Sequence, residues 1–416
     1  MKATLVGYGS TGDLLPLIAL AIALRDAGQE VVTVGDEAGA VIAEHHGLEF
    51  HALAGSLAET LRPGGSLALT IDAGHFTMKS FRDHDAHDEA RLSLIQQVAR
   101  GSDVVLGMPM AHYHAFIAAR EVGARPVLGV LQPLAPTRAM APAGLGMPGL
   151  AGWLRRPVGR MVQSAGWLSA RGPINKARRR LGLPLIATDP TLDAVTLCAW
   201  SPTLLSRPDD WPPSRFTVTG RWQLPSPNWT PDPGLAAFLD AGDPPVYVGF
   251  GSMATFSGMD RLLDALLAGL APRRILLASA TNRPLPGNVH RVSGFVPHEW
   301  LFPRCSVIVS HCGAGTSHEA AASGVPSVPV PISMDQPFWA DRLHRLGVAA
   351  KPLNPRRPDP GLVRKAVALV EAAPVRQRAS ELAGQLTADP GVRAAARCLE
   401  EFSRRDGSPT ELKEKS

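Results

Sequence analysis

The chain is poor in cysteine, and what it lacks sets its first bounds. Four cysteines, Cys198, Cys305, Cys312 and Cys398, form no C-x-x-C pair, so no disulfide framework is expected and the thiols read as free. No apolar run reaches the roughly 18 to 20 residues of a membrane-spanning helix. The opening residues, Met1-Lys2-Ala3-Thr4-Leu5-Val6, enter a strand pattern directly, without a signal-peptide cleavage pattern. A cytoplasmic protein is the expectation. The net charge of +5 is modest and does not argue for a nucleic-acid partner. Acid is absent altogether from residues 122–188, which carry basic residues from Arg125 to Arg180 along with Trp153 and Trp167. Basic and apolar residues mixed on helices suit an anionic membrane surface, an acidic acceptor or carrier protein, or a plain solvated face.

What is present falls into two parts. At 416 residues the chain exceeds one ordinary core, so two domains of roughly 200 residues are expected. The densest information lies at 294–343. An apolar run at 306–310 has the form of a buried strand, and His311-Cys312-Gly313-Ala314-Gly315-Thr316 follows it at once. Small residues continue through Ala322, and Gly324-Val325-Pro326 stops the helix. Such a strand, turn and helix N-terminus collect free backbone N–H groups and the positive end of a helix dipole, which suits a phosphate. His311 adds a hydrogen bond to the same anion, and Thr316, expected at the N-cap, adds a hydroxyl. Glu319, expected on the first turn, offers a carboxylate to ribose hydroxyls. Asp335-Gln336, at the next strand edge, sets an acid beside an amide, equipment for a sugar ring. Each residue alone has a structural reading as cap or core histidine. The five together at this spacing favour the ligand.

This stretch resembles the donor-nucleotide signature of the GT-B glycosyltransferases of the UDP-glycosyltransferase superfamily, family 1. Phe295-Val296-Pro297-His298 stands where plant members carry W-x-P-Q, and His311 to Glu319 stands where they carry HCGWNS and a Glu three residues on. Asp335-Gln336-Pro337-Phe338-Trp339 matches in full the D-Q-P-F-W of the bacterial branch that glycosylates antibiotics, polyketides, sterols and lipids. Ser310 and Cys312 depart from that branch's HHGGAGT, but both are small. The resemblance implies an α/β GT-B fold, two Rossmann-like domains facing across a cleft. It implies donor binding by Ser10, Gly12, Ser252, Phe295, Val296, His311, Gly313, Ala314, Gly315, Thr316, Glu319, Asp335 and Gln336. Asp13 and His311 are its catalytic candidates, and Phe76, Met78, His112 and Trp339 its candidates for the acceptor site.

The first half is read in the same terms. A strand at 2–8, a helix at 12–27 closed by Gly28 and a second strand at 30–34 are expected. Between the first two lies Gly7-Tyr8-Gly9-Ser10-Thr11-Gly12, which satisfies G-x-G-x-x-G, with Asp36 and Glu37 where a dinucleotide fold has its ribose-binding acid. That supports a rival, an NAD- or FAD-dependent oxidoreductase. Against it, Asp13 directly after the third glycine would aim a charge at the pyrophosphate. In the glycosyltransferase reading, Gly12-Asp13-Leu14-Leu15-Pro16 stands where plant relatives carry G-H-x-x-P, so Asp13 occupies the place of the base and Pro16 a first helical turn. Asp83, His84, Asp85, His87, Asp88 and Glu89 read as a charge run on a solvated helix rather than a metal site.

Eight prolines within 201–233 mark an interdomain linker. The expected boundaries are 1–205 for the acceptor-binding domain, 206–233 for the linker, 234–395 for the donor-binding domain, and 396–416 for a helix crossing back with a frayed tail. The implied reaction is inverting transfer from a UDP- or dTDP-sugar to a hydroxyl of a small natural product. No cofactor or metal is expected, because no convincing D-x-D donor site appears. Alternatives are an enzyme acting on a sterol or lipid acceptor while peripheral to the inner face of a membrane, a sugar-nucleotide-binding partner without catalysis, and an epimerase.

Overall fold

A computed structural model describes residues 1–56, 87–226, 229–251, 258–279 and 284–404. Phe76, Met78 and Ser252 lie outside the described residues, as do Asp83, His84 and Asp85. Two parallel sheets organise the chain. The first contains β1 (Lys2–Gly7), β2 (Glu30–Gly35), β3 (Glu49–Ala52), β4 (Val104–Gly107), β5 (Arg125–Val130), β6 (Val195–Cys198) and β7 (Phe216–Val218), in the order β3-β2-β1-β4-β5-β6-β7. The second contains β8 (Val246–Gly249), β9 (Ile275–Ala278), β10 (Val289–Arg291), β11 (Val307–Ser310) and β12 (Ser327–Pro329), in the order β10-β9-β8-β11-β12. Central strands such as β4, β8 and β11 are buried along their whole length. Their sequences accordingly run apolar without alternation, as strands covered by helices on both faces must.

The strand orders decide where a ligand fits. In the first sheet the order reverses between β1 and β4, and in the second between β8 and β11. At such switch points successive crossovers leave toward opposite faces and open a crevice at the carboxyl ends of the strands. The turn after β1 leads into α1 (Thr11–Asp26), and the turn after β4 into a helix at His112–Glu121. The turn after β11 opens the helix Ala314–Ser323. These are the places where the sequence concentrates its chemistry.

Two boundaries differ from expectation. β7 lies inside the stretch expected to be linker, because Phe216 to Val218 pair in register with Thr196 to Cys198. Prolines at 212, 213 and 225 flank that short edge strand without entering it, so they do not prevent its pairing. The first domain therefore runs past residue 205. The returning helix is Gly391–Arg404, and it packs on α1, starting before 396. Among the described residues it is the last of four helices after β12: Gln336–Arg345, Pro360–Val370, Ala373–Leu386 and Gly391–Arg404. Pro16 sits beyond the first turn of α1, where its missing N–H leaves the Gly12 carbonyl without its usual helical donor.

Buried apolar clusters join the halves, one through Leu204 against Cys312 and Ala340, and a larger one around Trp200. Trp200, Leu205 and Trp211 of the first half share it with Ala314 and Trp339 of the second. Trp200 and Trp339 meet edge to face at 6.5 Å, and Trp339 is fully buried. Trp339 is thus part of the interdomain core and not a lining residue of an open acceptor site. Replacing it with Ala should destabilise the protein by about 3–5 kcal/mol, the usual cost of emptying a buried aromatic site. Denaturant unfolding measures this, and a loss below about 1 kcal/mol would contradict the packing role.

Candidate active site

The turn after β1 is closed by a carboxylate. Asp13 Oδ2 accepts from the Ser10 amide at 2.9 Å and from the Ser10 hydroxyl at 3.0 Å. Gly9, at φ 151°, makes room for it: a Cβ there would lie 2.5 Å from Oδ2. The G-x-G-x-x-G loop is therefore filled by its own acid, where the dinucleotide reading needs an empty anion cradle. Burial raises the Asp13 pKa and the two Ser10 bonds oppose it. Ser10 is engaged with Asp13, and Gly12 lies exposed beside it.

Across the cleft, β11 ends in a strained turn. Cys312 takes φ 60°, an unusual conformation for a non-glycine residue, and is buried, its amide held by the Ser310 hydroxyl at 3.3 Å. The N-cap is Gly313, not Thr316, which lies one turn on. The first helical bond runs from Ser317 N to Gly313 O, so the amides of Ala314, Gly315 and Thr316 have no helical acceptor. Open space surrounds Gly315, where an added Cβ would meet nothing within 4 Å. His311 sits between two glycines: a Cβ on Gly313 would lie 2.9 Å from its Nε2, and one on Gly251 3.4 Å from its Cε1. Burial drives the His311 pKa down to about 4 against the Gly249 carbonyl, so the ring is neutral at pH 7. Its buried Nδ1 has no hydrogen-bond partner among the described residues.

These groups open onto a cleft of about 520 Å³, lined by His311, Thr316, Gly251 and several residues that sequence reasoning passed over: Tyr247, Ser279, Arg291 and His298. His298 stacks on Phe302 at 4.2 Å, lies 3.4 Å from the Tyr247 hydroxyl, and is held near pKa 4 by burial with His311 adding to it. Its signal was its place in the motif, where plant relatives carry Gln. Tyr247 and Ser279 carried none, since each depends on which side of β8 or β9 faces the cleft. Phe295 and Val296 are not in the lining: Phe295 is 56% exposed at the rim, and Val296 packs among Trp229 and Trp300.

The acids of the second half are less free than expected. Glu319, on the second turn of its helix rather than the first, lies 3.1 Å from Arg221. Burial pushes its pKa up to about 7, with Arg221 opposing. Asp335 is likewise pushed up to about 7, first by burial and then by the charge of Asp13. The charge of Asp13 is thus felt by Asp335 across the two halves. The Trp339 indole lies close enough to favour the Asp335 carboxylate, although its N–H has no well-aligned acceptor among the described residues. Gln336 is a correction: its Oε1 accepts from the amides of Ile332 at 2.8 Å and Ser333 at 3.0 Å, closing the turn, so that oxygen is not available to a sugar.

Near the first-half crevice, His112 opens its helix with a buried, unpartnered Nδ1, its pKa lowered to about 4 by burial and then by His114. Asp88 is also a correction. It is buried and bonded to His114 Nε2 at 2.9 Å, not part of a solvated run, while Glu89 reaches Arg180 at 3.6 Å. Among the described residues, no group of three or more His, Cys, Asp or Glu is placed to hold a metal ion.

A cleft between two parallel-sheet α/β domains, with an anion turn on one side and a buried acid on the other, defines a GT-B glycosyltransferase. The chain belongs to family 1 of these enzymes. It is 31% identical to O-mycaminosyltylonolide 6-deoxyallosyltransferase of Streptomyces fradiae, over 97% of this chain and 98% of that one. It is also 31% identical to vancomycin aglycone glucosyltransferase of Amycolatopsis orientalis, over 97% and 98% of the two chains. Residues 275–402 match the family described as Erythromycin biosynthesis protein CIII-like, C-terminal domain. The fold is shared with the glycosyltransferase VinC, solved in complex with DTDP, at TM-score 0.64, 21% identity, and 97% and 99% coverage.

The buried histidines make stability depend on pH. Burial holds His112, His298, His311 and His318 near 4, below the ordinary 6.5. Between those values the unfolded chain binds protons that the folded chain refuses, so these groups stabilise above pH 6.5 and lose that contribution as pH falls to 4. Glu319 and Asp335, raised to about 7, act in the opposite sense. His318→Gln keeps a donor and an acceptor but removes one titration. Its melting deficit relative to the native protein should shrink between pH 7 and about pH 4.5. A constant deficit would mean that folding leaves the His318 pKa unshifted.

Proposed function

We propose that the protein transfers a sugar from a dTDP- or UDP-sugar to a hydroxyl of a small natural-product acceptor, inverting the anomeric centre and needing no metal. One observation carries this: the turn that follows β11 sets His311 and Thr316 on a cleft of about 520 Å³, and the charge of Asp13 from the first half reaches Asp335 of the second. The relatives' named substrates, O-mycaminosyltylonolide and vancomycin aglycone, support a natural-product acceptor. DTDP in the VinC complex supports a dTDP-linked donor.

In this mechanism the acceptor oxygen attacks the anomeric carbon while the bond from that carbon to the diphosphate breaks. The hydroxyl proton passes to Asp13. Burial raises the Asp13 pKa and so improves its match to the alcohol, whose oxygen becomes acidic as the bond to the leaving group fails. The departing diphosphate gains charge, which the amides of Gly315 and Thr316, the helix dipole and the neutral His311 ring stabilise, while the Ala314 amide serves Asp335. That electrostatic set serves in place of a metal. Glu319 accepts from ribose hydroxyls, and Asp335 from the sugar. Asp13→Asn preserves size and the contact with Ser10 but removes the base. Turnover should fall by about 10²–10⁴, with donor affinity nearly unchanged. Unchanged turnover per folded molecule would leave Asp13 as a cap only. Donor incubated without acceptor should keep its sugar configuration, since an epimerase would convert it.

A second reading adds peripheral contact with an anionic membrane, and the helix Gly152–Arg180 favours it. Trp153 (78% exposed), Met161 (64%) and Leu168 (59%) stand about two turns apart on one outward face, with Arg160 and Arg171 exposed beside them. That helix contains no acid. The inward face is accounted for, with Trp167 buried and Arg178 paired to Glu121. Among the described residues, no helix is long and apolar enough to cross a membrane. Flotation should retain the protein on anionic but not neutral vesicles, and added salt should release it. Recovery in the unbound fraction with anionic vesicles at low salt would exclude this contact.

A further inference from the structure

Arg221, Trp222 and Gln223 form a short non-helical stretch that leaves the first half after β7. Successive side chains of extended backbone point to opposite sides, and these three do so with consequence. Trp222 turns into the core of the first half, its indole N–H donating to the Thr219 hydroxyl at 2.9 Å. Arg221 and Gln223 turn the other way. Arg221 Nη1 lies 3.1 Å from Glu319 Oε1, and Gln223 Nε2 donates to Glu299. The returning connection passes the same point: Gly220 (φ 84°) touches Gly391 (φ 67°) so closely that a Cβ on Gly220 would lie 2.3 Å from the Gly391 nitrogen. Asp389, just before that contact, is also within the field of Arg221. Arg221 is therefore held where both interdomain connections cross.

We propose that Arg221 is a positioning residue for the donor nucleotide: from the crossing point it holds the Glu319 carboxyl and favours its ionised form, ready for ribose hydroxyls. This rests on the reading of Glu319 as the ribose acceptor. Glu319 and Arg221 are both largely buried, with side-chain exposures of 15% and 27%, so the partner's charge is weakly screened. The charged groups acting on Glu319 are Arg221 from the connection and Glu299 from the short helix His298–Leu301, which have opposite effects. Burial alone would favour the neutral acid, a poorer acceptor, and Arg221 counters it. The contact is an ion pair whose attraction opposes the effect of burial on Glu319.

The test is calorimetric titration of the full chain with UDP and with dTDP from pH 6 to 9. Affinity in the native protein should rise with pH and level off as Glu319 ionises. In Arg221→Gln the rise should move up by about one pH unit, with affinity near pH 7 lowered about fivefold, while turnover at saturating donor is kept. Arg221→Lys should restore the profile. In a Glu319→Gln background, Arg221→Gln should no longer move it, which separates coupling through Glu319 from damage to the hinge. A folded Arg221→Gln protein with an unshifted profile overturns the proposal, as does a shift that persists without Glu319. A native chain that binds neither nucleotide overturns the donor reading itself, and the role of Arg221 with it.

Discussion

The cleft has one geometry because a buried imidazole holds the two halves in register. His318 accepts from the Ser201 amide through Nε2 at 3.2 Å, so its Nδ1 carries the proton and donates to the Ala314 carbonyl at 2.7 Å. The ring also meets Trp339 edge to face at 4.8 Å. Ser201 follows the last residues of β6, and Ala314 opens the helix whose free amides face the cleft. One neutral ring thus ties the end of the first sheet to the anion-binding turn of the second. Protonation would turn its acceptor into a donor and leave a charge unmatched in a buried site, which is why burial keeps it neutral.

Around that seam the molecule concentrates strain and desolvated charge at strand ends. Met110, Cys312 and Met334 all have positive φ; the first two lie just after the central strands β4 and β11, and Met334 follows the edge strand β12. Such conformations persist where the surrounding packing over-determines them, and they cluster where backbone must be aimed at a ligand. Asp13, Glu319 and Asp335 all have raised pKa values because burial outweighs their partners. A site that keeps acids partly desolvated before any ligand arrives is prepared for chemistry in which protons and negative charge move.

Much of this was legible in local sequence. The run from Val307 to Thr316 states a strand, a turn and a helix start by composition alone, and residues within a few positions of one another supply every group of the anion turn. The Gly9 to Asp13 turn is local in the same sense. Errors arose where the deciding contact lies far away in the chain. Trp339 read as part of a binding motif, yet Trp200 and His318 bury it. Asp88 read as solvated, yet His114 on another helix claims it. The proline-rich stretch read as linker throughout, yet β6 offers an edge on which Phe216 to Val218 pair.

By itself, then, the sequence determined what short-range geometry can encode: parallel strands from unbroken apolar runs, helix starts and stops, and an anion-binding turn opposite an acid. Tertiary structure alone decided which of those groups remain free for a ligand. Gln336 spends its oxygen on its own turn, Glu319 is held by Arg221 from the interdomain connection, and Tyr247, Ser279 and His298 line the cleft. The physical reason is that availability depends on burial and on competing hydrogen-bond partners, and both are set by packing between segments widely separated in the chain.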